Sequence, residues 1–358
     1  MNRFLIREIY NYSNKIEKQI KLKTLLNYNF NNFKVNNSFK IGFKEELLTR
    51  LAKRTTELET LPYGLSAMPS INVLSSWYIK SFEELYQFED YTNDKQMNQV
   101  LQNIYTRHAD TTEKITEGFK ELNVNLSDRY NEDVFEYLKK HGHLPCGSFD
   151  KLNNALDKFY TNRMSVRLLI DQYLHYEYTD TNYVGIINKK TSPIEVIQDA
   201  INDATRICQM TYGHSPEVII EKITNPEICY IPSYLYYVMF EIIKNGLRAS
   251  VENNQDTLNI VISGTEDVII KISDNGKGIP YADLDKVWYY SYTTDKNNYY
   301  NNSLRIANGN QQSVCPMSGF GLGLSVSRSI INFLGGDIRL MSMEDYGTDV
   351  YISIPREE

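Results

Sequence analysis

The stretch YIPSYLYYVMFEIIKNGLRAS, Tyr230 to Ser250, decides how the second half of this chain folds. From Ser233 to Val251 its apolar residues, among them Leu235, Val238, Met239, Ile242, Ile243 and Leu247, recur with the spacing of a helix that buries one side. Glu241, Lys244, Asn245 and Arg248 fall at i, i+3, i+4 and i+7, so they share another face of that helix. The face reads either as a solvated stripe or as a carboxylate, an ammonium and an amide converging on Mg2+ and phosphate oxygens. An Asn among otherwise apolar neighbours is a poor choice for a merely wet face.

Downstream, Ile272-Ser273-Asp274-Asn275-Gly276-Lys277-Gly278-Ile279-Pro280 is an apolar strand that ends in an Asp and two spaced glycines. It is either a tight turn with both glycines at positive φ, or a base-binding edge. In the second reading the carboxylate accepts from an exocyclic amine and the glycines let a flat ring approach the backbone. Gly319-Phe320-Gly321-Leu322-Gly323-Leu324 opens the helical run Ser325–Leu334. That is either a flexible linker or a phosphate cradle, in which free N–H groups and the positive end of the helix dipole face an anion. It departs from the dinucleotide fingerprint, and the sequence has neither a GxxxxGK[ST] loop nor HRD and DFG elements. Tyr346-Gly347-Thr348 turns between two strands. Strand-like runs at Glu217–Ile223, Thr257–Ser263, Val268–Ser273, Asp337–Met343 and Thr348–Ile354 alternate with helical runs at Ile194–Gln209, Ser233–Val251 and Ser325–Leu334. This pattern predicts a two-layer α/β sandwich.

Residues 1–180 read differently. Phe43, Leu47, Leu51 and Leu58 mark one amphipathic helix, and Ser70 is expected to N-cap a second over Ile71–Leu85. Further helical patterns run over Met97–Leu122 and Leu152–Tyr176, with a loop over Lys140–Phe149. An antiparallel four-helix bundle over 1–180 is therefore expected, followed by the sandwich over 181–358: an α+β chain of two domains. The net charge of −7 argues against a nucleic-acid binder. No window approaches 18 consecutive apolar residues, so no membrane span is expected. Cys146, Cys208, Cys229 and Cys315 are scattered without a CxxC pair, and the histidines form no HExxH. A disulfide framework and a zinc site are thus not expected, and a reducing compartment fits.

The order of motifs is more telling than any one of them. A polar-faced helix, a strand-end DxGxG, a long polar loop, a GxGxG helix start and a GT hairpin together resemble the GHKL-type ATP-binding fold of heat-shock chaperone ATPases, DNA gyrase, histidine kinases and mitochondrial protein kinases. Tyr230 to Ser250 is similar to the corresponding helix of pyruvate dehydrogenase kinases. So are Met68-Pro69-Ser70, Ser76-Trp77-Tyr78-Ile79-Lys80-Ser81-Phe82, Arg107-His108-Ala109-Asp110, and the run Phe159-Tyr160 to Arg163, Ser165 and Arg167. Tyr183 to Ile187 and Gly347 to Tyr351 resemble the branched-chain 2-oxoacid dehydrogenase kinase. Over roughly residues 38–355 the chain is identified as a member of the mitochondrial 2-oxoacid dehydrogenase kinases, with pyruvate dehydrogenase the favoured target.

The resemblance implies an ATP-dependent serine protein kinase of the mitochondrial matrix that phosphorylates and inactivates the decarboxylase component of its complex. It further implies docking to the lipoyl domain of the acyltransferase component, a regulatory and substrate-docking role for the helical domain, and a homodimer. Glu241 would be the general base toward the substrate serine. Asn245 would coordinate Mg2+, with Lys244 and Arg248 supporting the phosphates or the metal's surroundings. Asp274 would bind the adenine amine, Gly276 and Gly278 would give close approach, and Thr348 would complete the base pocket. Ser291, Thr293, Thr294, Gly319, Phe320, Gly321, Leu322, Gly323 and Leu324 complete the expected ATP contacts. The polar stretch Asp295–Met317 is expected to be a lid ordered by the β- and γ-phosphates.

Some positions depart from the family pattern. Tyr237 stands where the family often has a His one turn before the Glu, so a neutral phenol replaces a group that could tune the carboxylate. Lys277 replaces the middle of three glycines, which is nearer to histidine-kinase usage. The sequence stops at Glu358, short of the family's long C-terminal tail, and Met1–Lys15 is a poor transit peptide because Arg3 and Arg7 are joined by Glu8. The competing readings are a branched-chain kinase, a sensor histidine kinase with His108 as phosphoacceptor, and a non-catalytic nucleotide sensor.

Overall fold

The computed structural model describes residues 3–27, 37–91, 93–130, 148–175, 182–264, 266–290, 292–293, 317 and 321–356. The chain divides into two compact units, Met1–Ile186 and Ile187–Glu358.

The first unit is helical: α1 (Arg3–Ser13), α2 (Leu22–Asn27), α3 (Asn37–Glu59), α4 (Pro69–Tyr86), α5 (Asp94–Arg107), α6 (Thr111–Tyr130) and α7 (Ser148–Leu174), then a short strand β1 (Tyr183–Val184). α3 packs against α1, α4 and α7, α4 against α6, and α5 against α7. Leu47, Leu51, Leu74, Phe82, Ile115 and Phe159 are buried where these faces meet. Burying such side chains is worth roughly 1.5–3 kcal/mol each. Charge is buried here too. Lys44 donates its Nζ hydrogens to the carbonyls of Tyr86, at 3.1 Å, and Phe88, thereby closing the C-terminal end of α4. Arg54, fully buried, is paired with Glu17 at 3.0 Å and Glu57 at 2.7 Å, so its charge is compensated.

Three local expectations are corrected in this unit. Ser70 is not an N-cap: Met68 holds that position without a side-chain bond, Pro69 takes the first helical place, and Ser70 Oγ donates to Glu121 at 2.7 Å. The pattern over Met97–Leu122 is two helices, not one, because the chain turns at 108–110. No Gly or Pro announces that turn. Two side chains hold it: Thr111, three residues on, through Oγ1, and Arg163, from α7, both donate to the His108 carbonyl, at 2.8 Å each. Ser148 and Phe149, expected in a loop, belong to α7, while the remainder of that expected loop, 140–147, lies outside the described residues.

In the second unit, β2 (Ile187–Thr191) pairs antiparallel with β4 (Ile228–Tyr230), two short strands that carry no alternation long enough to read from sequence. α8 (Pro193–Tyr212) is capped by Ser192, which accepts from Glu195 N–H, and ends at Gly213 with φ +81°. A five-stranded sheet follows, in the order β3–β5–β6–β8–β7, from β3 (Glu217–Lys222), β5 (Thr257–Gly264), β6 (Asp267–Asp274), β7 (Asp337–Met343) and β8 (Gly347–Pro355). β3 and β5 are parallel and the other pairs antiparallel. Alternation buries Leu258, Ile260 and Ile262 on β5, Val268, Ile270 and Ile272 on β6, and Val350, Ile352 and Ile354 on β8. α9 (Pro232–Glu252) covers β5 and β6 and packs on α8, while α10 (Gly323–Phe333) packs on α9 and β7. The chain is thus a helical region followed by an α/β sandwich. Gly246 explains how α9 comes so close: a Cβ there would sit 2.7 Å from Leu258 Cδ1.

Among the described residues Cys208 and Cys229 are not joined in a disulfide, no helix is long and apolar enough to cross a membrane, and no group of His, Cys, Asp and Glu is set to hold a metal ion. Cys146 and Cys315 lie outside the described residues.

Candidate functional site

Between α9, the ends of β6 and β8, and the start of α10 lies a cavity of about 560 Å³, within the size range of a small-molecule pocket. α9 supplies Glu241, Asn245, Arg248 and Glu252, which return to one side of the helix every three or four residues. Asn245 is exposed, and Arg248 donates from Nε to Glu252 at 2.8 Å. Among the described residues, Lys244 does not line the cavity. It is 2% exposed, and its ammonium donates to Glu241 Oε1 at 2.8 Å and lies 5.1 Å from the Phe240 ring centre. The four-residue face seen in the sequence is therefore split, with Lys244 holding Glu241 from behind.

The other oxygen of Glu241 is set by a glycine. A Cβ on Gly323 would lie 2.1 Å from Glu241 Oε2, so only glycine leaves that carboxylate where it stands. Gly321, Gly323 and Leu324 line the cavity, and α10 begins at Gly323, so the unpaired N–H groups of its first turn open beside them. Leu322 is buried and stays out of the cavity wall.

At the far end β6 delivers Asp274. Its Oδ1 accepts from Gly276 N–H at 2.9 Å, and Asp274 stands opposite Thr348 in the β6–β8 ladder. Burial pushes the Asp274 carboxyl up to about 6, against the backbone donors of Gly276 and Thr348, and Asp349 adds to the rise. Of the two glycines in this turn only Gly278 has positive φ, at +67°, which corrects the expectation for both. Gly278 has no room for a side chain, since a Cβ would lie 2.1 Å from the Met343 carbonyl oxygen. Gly276 does not line the cavity but presses against Ala249, whose carbonyl oxygen would be 3.0 Å from an added Cβ. Ile272, Ile279, Val287, Leu340 and Val350 form apolar walls between the two polar ends.

Thr293 and Thr348 line the cavity as expected. Ser291, Thr294, Gly319 and Phe320 lie outside the described residues, as does most of the expected lid. Glu252, Asn253, Asp283 and Tyr292 were not anticipated. Glu252 could have been found, since it extends the Glu241–Asn245–Arg248 stripe by one more turn. Asp283 and Tyr292 come from irregular backbone and left no periodic signal.

His108 lies in the helical unit. It is 3% exposed, bonds through Nε2 to Ser81 Oγ at 2.9 Å, and packs 4.1 Å from the Tyr78 ring. Burial, with Arg163, Arg107 and Arg167 nearby, holds its imidazole down at about 3. A phosphoacceptor must reach an incoming phosphoryl group, and this buried side chain does not; the sensor-kinase reading of His108 is set aside.

Residues 19–188 match the family model described as mitochondrial branched-chain alpha-ketoacid dehydrogenase kinase, and residues 231–358 match that of the histidine kinase-, DNA gyrase B- and HSP90-like ATPases. A mitochondrial pyruvate dehydrogenase (acetyl-transferring) kinase of Arabidopsis thaliana is 33% identical over 324 residues, 87% of this chain and 83% of that protein. Isozyme 3 of the human mitochondrial enzyme is 32% identical over 97% of this chain and 84% of its own length. Human isozyme 4 is 30% identical over 97% and 83%.

Proposed function

This chain belongs to the pyruvate dehydrogenase kinase family, and from that premise we propose that it transfers the γ-phosphoryl group of ATP to a serine of the decarboxylase component of a mitochondrial 2-oxoacid dehydrogenase complex, that of pyruvate dehydrogenase, and so inactivates it. The observation that carries the reading is the cavity described above. It holds a carboxylate and an amide, Glu241 and Asn245, at one end and a base-reading acceptor, Asp274, at the other, with the N-terminus of α10 beside Glu241.

Each residue has a task in that reaction. Asp274 accepts from the exocyclic amine of adenine while the apolar walls hold the ring, and Thr348 and Thr293 complete the contacts. Gly321, Gly323 and Leu324 present backbone N–H groups to the phosphates, and Arg248 adds a positive charge nearby. Glu241 takes the proton from the serine hydroxyl as its oxygen forms the new bond to phosphorus and ADP leaves. Lys244 positions Glu241 through Oε1. Phosphoryl transfer asks for placement and charge neutralisation, so no covalent enzyme intermediate is required. Mg2+ suits these residues: one exposed amide oxygen on Asn245 is the protein share expected of an ion held mostly by phosphates and water. Bound there, it would neutralise phosphate charge. Ser291, Thr294, Gly319 and Phe320 are assigned to the nucleotide by sequence position, and Gly276, Gly278 and Leu322 to shaping the site.

The helical unit is proposed to dock the decarboxylase and the lipoyl domain of the acyltransferase component and to carry regulation, with the protein acting as a homodimer in the matrix. A branched-chain decarboxylase is the second target to test, because the model matching residues 19–188 carries that name. Incubation with γ-labelled ATP and the two decarboxylases side by side separates the readings. Acid-stable phosphoserine on the pyruvate enzyme is the expected result. Label on neither protein, or an acid-labile adduct, overturns it.

A further inference from the structure

We propose that Ser342 is a positioning residue of the nucleotide pocket, one that fixes the polarity of the Thr348 hydroxyl and thereby the preference for a 6-aminopurine over a 6-oxopurine. The proposal rests on the reading of this cavity as the adenine site.

Asp274, Thr348 and Ser342 form one row across three strands: Asp274 pairs with Thr348 in the β6–β8 ladder, and Thr348 with Ser342 in the β7–β8 ladder. Residues directly opposite each other in neighbouring strands point to the same side of the sheet. Here that side is the one bearing Ile272 and Val350, which line the cavity. Ser342 does not itself line the cavity, yet two different segments that bound it meet at its hydroxyl. The N–H of Ile279, just past Gly278, donates to Ser342 Oγ at 2.8 Å. The Gly347 carbonyl oxygen lies at 3.0 Å and Thr348 Oγ1 at 2.8 Å.

A serine hydroxyl has one proton and two acceptor sites. Ile279 N–H occupies one of those sites. A carbonyl can only accept, so the Ser342 proton goes to Gly347, and Thr348 then donates its own proton to the remaining Ser342 lone pair. This arrangement satisfies every group at the junction. It leaves Thr348 Oγ1 with only acceptor capacity toward the cavity, on the same row as the Asp274 carboxylate. A wall of acceptors favours a base edge that carries N–H groups and disfavours one that carries a carbonyl there, which is the difference between adenine and guanine nucleotides. The same hydroxyl ties the Gly278–Ile279 turn to the β7–β8 hairpin, two segments that also touch where Gly278 abuts the Met343 carbonyl.

Ser342→Ala and Ser342→Thr, measured side by side in the full chain, test this. Losing the hydroxyl leaves Ile279 N–H unpaired and frees the Thr348 proton. The expected outcome for Ser342→Ala is a rise of about tenfold in KM for ATP and a narrowed ATP-to-GTP preference, with kcat at saturating ATP unchanged. Ser342→Thr keeps the hydroxyl and should restore both. A KM within about twofold of the parent, a fall in kcat at unchanged KM, or a threonine variant as weak as the alanine one each overturns the proposal. Should the alanine variant not fold, Ser342→Cys, close in volume with a poor hydrogen-bonding thiol, is read by the same criteria. Asp274→Ala is run in parallel. If it too binds ATP unchanged, the adenine assignment of the cavity fails; if it alone weakens binding, only the role of Ser342 fails.

Discussion

Replacing Gly323 by alanine separates positioning of the proposed catalytic carboxylate, Glu241, from binding of the nucleotide. Gly323 is the first residue of α10 and is not among the glycines with positive φ, so alanine is allowed by the backbone there. On conformational grounds alone the change should stabilise the fold by about 0.4–1 kcal/mol. The added methyl, however, would lie 2.1 Å from Glu241 Oε2 and 3.0 Å from its Cδ, where ordinary contact begins at 3.4 Å. The carboxylate, at the end of a flexible side chain, must retreat by more than an ångström, and doing so pulls Oε1 away from the 2.8 Å bond to Lys244. A general base is worth roughly 10²–10⁴-fold, and misplacement of about 1 Å can cost about 10²-fold. Gly323→Ala should therefore lower the phosphoryl-transfer rate by about 100-fold or more while binding ATP within a few-fold, and should stay folded but melt below the parent, because weakening the bond to the buried Lys244 ammonium costs about 1.5–3 kcal/mol, more than the backbone gains. Single-turnover transfer to the decarboxylase, calorimetric nucleotide titration and a thermal melt would be measured on the same preparation. A parent-like rate would refute the link between Gly323 and Glu241. Loss of ATP binding in a variant that remains folded would show that this glycine serves the phosphates instead.

Four further outcomes are expected. Glu241→Gln should lose about 10²–10⁴-fold in transfer rate with nucleotide affinity largely kept, and a native rate would remove Glu241 from the mechanism. Asp274, with its carboxyl raised to about 6 from an ordinary 3.8, must be ionised to accept from adenine, so ATP affinity should fall about tenfold per pH unit below pH 6. Subtracting the profile of Asp274→Asn cancels the titration of the nucleotide's own phosphates, and a flat difference would refute the assignment. The sign for stability is the opposite. A raised carboxyl pKa contributes stability that is present below pH 3.8 and lost as pH rises through 6, so ionised Asp274 costs the unliganded fold about 3 kcal/mol at neutral pH. Asp274→Ala without nucleotide should then melt no lower than the parent at pH 7 in calorimetry. Gly278→Ala combines φ +67° with a backbone clash and should cost about 2–5 kcal/mol in denaturant unfolding, whereas Gly213→Ala, at φ +81° with no atom within 4 Å of its Cβ, should cost only about 1–2. Equal costs at the two sites would contradict the described packing of Gly278 on Met343.

Much of this protein is legible in its sequence because the signals are local. The period-two alternation of Val350, Ile352 and Ile354 and the period near 3.6 from Leu235 to Val251 fix a strand and a helix, whatever else surrounds them. Glycine spacing at Gly276, Gly278 and Gly323 marks backbone that something must approach closely, and the order of the motifs along the chain points to the nucleotide fold. What approaches each glycine is a different question, and only the tertiary structure answers it. Gly323 makes room for Glu241, which lies far away along the chain, and Gly278 for the Met343 carbonyl. Lys244 shares a helix face with Asn245 by spacing, yet the packing of α9 buries one and exposes the other, so that Lys244, expected beside the phosphates, instead bonds Glu241. The turn at 108–110 contains no Gly or Pro, and the bond that Arg163 makes from another helix to its His108 carbonyl is one that no local signal shows. Periodicity and turn chemistry are properties of neighbouring residues and can be read in one dimension. Which side chain meets which across the cavity depends on strand order, register and helix approach, and those are set by the burial of the whole core.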